Sequence, residues 1–292
     1  MRLTEEQLHS YEESGFLFFT ECFSQAEIDI LMAEIPDLFA QDSPRRILEK
    51  SGAVRTVFSS QTSNETFRCF SRLPQLVGPA MQLLGSEVYI HQFKINAKVA
   101  LEGDKWEWHQ DFLYWHKEDG MRMPRVVTAA VFLQEVNEFN GPLLLIPGSH
   151  KEGMISVTTH DNSRLMMNQG SELYSKSPPW HSTLTADLKY KINKQLLAKL
   201  IAKHSIFSVK GPAGSVLFFH GELLHASGEN LFSEDRISVF VTYNSVQNCL
   251  PEIANPRPEF IASRDFTPLV TVPDDALLEV GLRRKETAPA LG

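Results

Sequence analysis

From residue 87 onward the sequence becomes a series of short runs rich in β-branched and aromatic residues, each stopped by glycine, proline or asparagine. Val88–Asn96 alternates as a strand does, and similar runs follow at Val126–Leu133, Leu143–Ile146, Ser205–Val209, Ser215–Phe219 and Ile237–Tyr243. The breaks are Asn140-Gly141-Pro142, Pro147-Gly148 and Gly211-Pro212-Ala213-Gly214. Many short strands with such punctuation predict a sandwich or jelly roll. Nineteen phenylalanines in 292 residues agree with a large β-rich core rather than a helical bundle.

The flanks read differently. Thr4 with Gln7, and Ser24 with Glu27, are capping boxes that open helices. Gly15 stops the first helix before a short buried strand at Phe16–Phe19, and the second continues over Ile28–Phe39. Residues 41–66 are polar and irregular, and Pro74–Leu84 is a helix closed by Gly85. The expected organisation is one domain over 1–292. Residues 1–86 form an N-terminal helical and strand support. Residues 87–245 form the jelly-roll core, with an insertion at 151–204, and 246–292 form a C-terminal wrapping segment. The fold class is α+β: an all-β core with flanking helices, of the double-stranded β-helix (jelly-roll, cupin-like) kind. Within the insertion, 151–184 is polar and loop-like. Residues 185–203 read as an amphipathic helix with Leu188, Ile192, Leu196 and Leu200 inward.

Composition excludes several classes of function. Lys+Arg is 28 against Asp+Glu 36, a net charge of −8, which does not attract phosphate backbones. Three cysteines without CxxC spacing argue against a disulfide framework or a structural zinc site. The N-terminus has no apolar signal-peptide core, and no run of 18 apolar residues occurs. The expected setting is cytoplasmic and the expected partner a small molecule, with no nucleic acid and no membrane. Nothing in the sequence signals an oligomeric state.

The segment Trp106-Glu107-Trp108-His109-Gln110-Asp111 carries the chemistry. On a strand His109 and Asp111 would point to one face and could offer imidazole and carboxylate to one point. A second histidine would complete the 2-His-1-carboxylate set that holds Fe(II) with open positions. His225 follows a strand and a turn, and eleven residues beyond it stand Arg236, Ile237 and Ser238. That order suits a 2-oxoglutarate oxygenase. The keto acid chelates the iron, and its far carboxylate meets the Arg236 guanidinium with the Ser238 hydroxyl beside it. His220 lies an odd number of residues before His225 and should face the other way, as His91 should if Gln92 faces the pocket. Trp108, opposite His109 by the same alternation, is expected in the core.

These blocks resemble the phytanoyl-CoA dioxygenase family. They are Tyr89-Ile-His-Gln-Phe-Lys-Ile-Asn96, Trp108-His-Gln-Asp-Phe112 with Trp115, Asp119-Gly120, Pro124-Arg125, Glu138-Phe-Asn-Gly-Pro142, Gly148-Ser-His150, His225 with Asn230, and Arg264-Asp-Phe-Thr-Pro268. The nearest branch is that of ectoine hydroxylase and the free amino-acid hydroxylases. The phrases YIHQFKIN, EFNGP and RILE look most like leucine 5-hydroxylases of the griselimycin type. The resemblance implies that His109, Asp111 and His225 bind iron and that Arg236 and Ser238 hold 2-oxoglutarate, with O2 as the third reactant. Gln92 and Asn96 match positions lining the cosubstrate pocket, and Trp115 matches an aromatic at its mouth. Trp106 stands where ectoine hydroxylase has Phe. Halogenases of this kind lack the carboxylate, so Asp111 points to hydroxylation. A free amino acid, leucine or an analogue, needs a second basic group for its carboxylate. Arg55, Arg125 and Arg264 are the candidates. Residues 151–184 would suit a lid over the substrate.

Overall fold

A computed structural model describes residues 1–155, 157–159 and 188–287. Its strands in chain order are β1 (Phe16–Phe19), β2 (Arg46–Leu48), β3 (Val54–Phe58), β4 (Val88–Lys98), β5 (Trp106–His109), β6 (Val126–Phe132) and β7 (Leu143–Leu145). There follow β8 (Val157–Thr159), β9 (Tyr190–Ile192), β10 (Phe207–Val209), β11 (Val216–His220), β12 (His225–Ser227) and β13 (Arg236–Ser245). A seven-stranded sheet runs β1-β11-β6-β13-β4-β3-β2 and a four-stranded sheet runs β10-β7-β12-β5. Neighbouring strands are antiparallel throughout. This is the double-stranded β-helix with flanking helices that the strand pattern predicts.

The large sheet is buried on both faces, which explains why β6 reads Val-Val-Thr-Ala-Ala-Val-Phe without polar alternation. Val127, Ala129 and Val131 pack outward with Leu76, Val77 and Ala80 of the helix Pro74–Leu84. Ala130 and Phe132 pack inward with Leu143, Leu145 and Val209 of the small sheet. Both N-terminal capping boxes form, on Thr4 and on Ser24. The predicted helix Ile28–Phe39 is two helices, Gln25–Met32 and Ile35–Ala40, with Pro36 in the first turn of the second.

Two expectations change. Residues 185–203 do not form one helix. Tyr190–Ile192 instead pairs with Val157–Thr159, and the helix begins at Lys194 because Asn193 accepts from the amides of Gln195 and Leu196. The apolar positions still point inward: Leu188 packs with Tyr114, and Leu200 with Ile146 and Leu224. The C-terminal segment, expected to wrap without a core of its own, carries a helix, Ala276–Thr287, whose Leu277 and Val280 join the main core. Most of the expected lid at 151–184, namely residues 156 and 160–184, lies outside the described residues. Among the described residues no helix is long and apolar enough to cross a membrane.

Two features of the frame give measurable consequences. Gly214 has φ +84°, and a Cβ there would stand 2.2 Å from the Phe23 carbonyl oxygen, whose residue donates its own amide to Gly214 O. Gly214→Ala is expected to cost about 2 kcal/mol or more, read as a lower urea midpoint at unchanged m value. His220 turns away from the iron-ligand candidates towards the rings of Tyr11 and His150. Burial, then the charge of His150, pushes its pKa down to about 4. The unfolded chain, near 6.5, therefore binds the proton first. The stabilising share is complete above pH 6.5 and is lost as pH falls towards 4, up to about 3 kcal/mol. His220→Phe should flatten the Tm profile across that window.

Candidate metal and cosubstrate site

His109 closes β5 and His225 opens β12, and the two are direct partners in the antiparallel register. Asp111 does not share their strand. The strand stops at His109, Gln110 takes the cap position, and Asp111 is the first residue of the helix Asp111–Asp119. The turn from strand to helix, rather than alternation along a strand, brings the carboxylate back to the imidazoles. Gln110 fixes that turn: its Nε2 donates to Glu222 O at 2.7 Å and Gly153 O at 2.8 Å, and its Oε1 accepts from Ile155 N at 2.9 Å.

The three side chains converge, with one ligand atom of each within 4.8 Å of the others. Asp111 Oδ1 stands 3.6 Å from His109 Nε2, and Oδ2 stands 3.9 Å from His225 Nε2. The opposite ring nitrogens are occupied. His109 Nδ1 meets Glu107 O at 2.6 Å, and His225 Nδ1 meets Leu223 O at 3.0 Å. Carbonyls only accept, so each Nδ1 carries a proton and each Nε2 is the nitrogen turned towards Asp111. Burial, and then His109, pushes the His225 pKa down to about 3, which keeps it unprotonated. Burial alone would raise the Asp111 carboxyl. The charge of Lys94 and the contacts to His109 and His225 instead hold it well below the carboxylate range. Asp111 Oδ2 is buried without a hydrogen-bond partner. Two imidazoles and one buried carboxylate, aimed at one point, suit a divalent iron.

The adjoining pocket is floored by alternate residues of β4: Gln92, Lys94, Asn96 and Lys98. Arg236 of β13 is opposite Lys98 and Ser238 is opposite Asn96. Arg236 is 3% exposed, its guanidinium 3.4 Å from Ser238 Oγ, with Nε unpartnered among the described residues. No carboxylate pairs with it among the described residues, and burial pushes its pKa down to about 10. A buried guanidinium without an anion is what a cosubstrate carboxylate would complete. Lys98 adjoins it, donating to Asp104 O at 2.5 Å and Gly228 O at 2.6 Å. Burial, with the charges of Arg236 and Arg55, pushes the Lys98 pKa down to about 6. Asn96 Oδ1 accepts from Thr56 Oγ1 at 3.0 Å, and Gln92 Nε2 donates to Ile261 O at 2.8 Å.

Trp115 lines this pocket, edge-on to His91. The three candidate substrate arginines do not. Arg55 is buried, but it pairs with Glu49 at 2.7 Å, donates to Lys105 O and stacks 3.8 Å over Trp106. Arg125 binds Gln247 and Leu84 O, and Arg264 binds Pro251 O. Besides Arg236, the arginine that lines the pocket is Arg257, from the coil after β13. Trp106, Tyr114, Leu143, Leu188 and Phe240 supply the apolar walls. Lys94 and Lys98 were findable from sequence, because the alternation that selects Gln92 and Asn96 selects them too. Arg257 carried no such signal, since it lies in a coil.

Residues 11–238 match the family described as phytanoyl-CoA dioxygenase (PhyH). The chain belongs to the phytanoyl-CoA dioxygenase family. It is 37% identical over 269 residues to the L-proline trans-4-hydroxylase of Streptomyces griseoviridis, covering 91% of this chain and 95% of the relative. It is 36% identical over 270 residues to the ectoine dioxygenase of Bordetella bronchiseptica, covering 90% and 83%. Among solved structures it resembles EctD from S. alaskensis with 2-oxoglutarate and 5-hydroxyectoine, at 27% identity and TM-score 0.75, covering 93% and 87%. The same protein with bound Fe gives 0.74, at 27% identity and coverage of 93% and 87%. The chain is thus an Fe(II)/2-oxoglutarate-dependent dioxygenase, as its residues imply. Within this family member, Arg236→Lys replaces a planar fork by a point charge. It is expected to raise the KM for 2-oxoglutarate by about tenfold or more, measured by succinate formation.

Proposed function

We propose that this dioxygenase hydroxylates an unactivated C–H bond of a free aliphatic L-amino acid, leucine or a close analogue first. The observation that carries the reading is a pair of buried guanidinia, Arg236 and Arg257, lining one pocket with His109, Asp111 and His225. A 2-oxoglutarate oxygenase needs one for its cosubstrate. A second fits a substrate that brings its own carboxylate. The apolar walls Leu143, Leu188, Trp106, Tyr114 and Phe240 suit an aliphatic side chain. Gln92 spends its amide nitrogen on Ile261 O, so its carbonyl oxygen remains as an acceptor for the substrate ammonium.

In this reading His109, Asp111 and His225 hold the iron. Bound there with 2-oxoglutarate and O2, iron supplies the oxidising power to put oxygen into a C–H bond, with succinate and CO2 as co-products. The chain's own residues do the rest. Arg236, with Ser238, Asn96 and Lys98 around it, orients 2-oxoglutarate. Arg257 and Gln92 place the substrate backbone, and the aromatic walls exclude water.

The ring substrates of the relatives, proline and ectoine, are the second reading, favoured by the identity to the proline 4-hydroxylase and the ectoine dioxygenase. A panel of leucine, isoleucine, norleucine, proline and ectoine separates the two. Substrate-dependent succinate and a product 16 mass units heavier are expected first with leucine or an analogue. Turnover of proline or ectoine alone would give the site to the ring substrates.

A further inference from the structure

Arg257 is an unusual active-site residue, because nothing regular carries it. Residues 249–275 contain no helix or strand. The neighbouring coil is tied to β4 by Ser263 N donating to His91 O at 2.8 Å and by Gln92 Nε2 on Ile261 O. The guanidinium itself is fixed to Asp119, its Nε donating to Oδ1 at 2.8 Å and its Nη2 to Oδ2 at 2.5 Å. Asp119 is the last residue of the helix whose first residue is Asp111, and it is fully buried. One short helix therefore carries a metal-ligand candidate at one end and the anchor of Arg257 at the other.

Behind Asp119 lies His91, fully buried, with Nε2 3.9 Å from Asp119 Oδ2 and both ring nitrogens without hydrogen-bond partners among the described residues. The edge of Trp115, a pocket wall, packs against the His91 ring at 5.2 Å. Burial holds the imidazole neutral, with its pKa pushed down to about 4. The carboxylate thus faces a neutral ring on one side and a guanidinium on the other. The bidentate fork also leaves the guanidinium in one plane and one rotation, which a coil residue could not otherwise keep.

We propose that Asp119, backed by His91, is a positioning residue that presents Arg257 to the carboxylate of the substrate, so that selectivity for acids over their amides is set outside the iron site. This rests on the amino-acid reading above. Asp119 touches neither substrate nor metal; it acts through Arg257.

The test is Asp119→Asn in the full-length enzyme, which keeps the shape and one acceptor but removes the charge. The KM for the amino acid should rise about tenfold or more, while the KM for 2-oxoglutarate stays within about twofold, since Arg236 is untouched. The wild type's preference for the acid over the primary amide should fall by a similar factor. Asp119→Glu should recover part of it. Crystal structures of both proteins should show the Arg257 guanidinium ordered in the wild type and displaced in Asp119→Asn. An unmoved Arg257 overturns the proposal, as does an unchanged acid-to-amide ratio or an equal rise in both KM values. If Asp119→Asn does not fold, the ratio and the Arg257 position are read in Asp119→Ser, which also removes the charge, under the same criteria. Should the wild type turn over no amino acid, the substrate reading fails by itself, and the crystallographic comparison still decides whether Asp119 fixes Arg257.

Discussion

The register that pairs His109 with His225 is the constraint on which the site depends. Two histidines separated by more than a hundred residues become neighbours because β5 and β12 meet in one antiparallel ladder. A slip of one residue would turn one imidazole to the opposite face and dissolve the site. The small sheet is held in register from both sides. β7 pairs His225 with Leu145, and Leu145 is part of the apolar layer between the two sheets. Packing of that layer therefore sets the separation of the ligand atoms, so core and chemistry share one set of contacts.

Strand alternation and turn residues made most of this legible in the sequence. The strand runs, both capping boxes, the helix Pro74–Leu84 and the outward face of His220 all follow from local rules. Family resemblance added the ligand set and the expectation that Arg236 holds 2-oxoglutarate. Where sequence reasoning went astray, a junction or a coil was responsible. Asp111 was read on a strand because His-x-Asp spacing looks the same whether the chain continues or turns into a helix. The 185–203 periodicity hid a short strand, because Tyr190 and Ile192 fit either pattern until Asn193 caps the helix. Arg257 could not be found by pattern at all. Its place depends on a contact with Asp119 across more than a hundred residues, and Pro-rich coil has no period to read.

Arg55 shows how a correct neighbourhood can carry a wrong role. It sits near the site, yet its charge is satisfied by Glu49 and its face by the Trp106 ring. Trp106 in turn tilts against His109, with ring centroids 6.2 Å apart. The guanidinium that looked like a substrate contact is a buttress beneath an aromatic wall. Its burial depresses its pKa, partly countered by Glu49, which fits a closed structural pair rather than a docking group.

The buried cations of the site differ in what satisfies them, and that difference sorts their tasks. Arg55 and Arg257 each have a carboxylate within hydrogen-bond distance. Lys98 has two backbone carbonyls, which suits a group that burial drives towards neutrality. Among the described residues Arg236 has only a long contact to a hydroxyl and bears its desolvation uncompensated. An unpaired buried guanidinium gains most from an incoming anion, because that anion removes a penalty already present in the protein. Arg257 is already neutralised by Asp119, so a second carboxylate gains orientation from it more than raw attraction. In the amino-acid reading proposed above, the cosubstrate end of the pocket is built for affinity and the other end for selection, in a chain whose net charge of −8 would otherwise repel both acids.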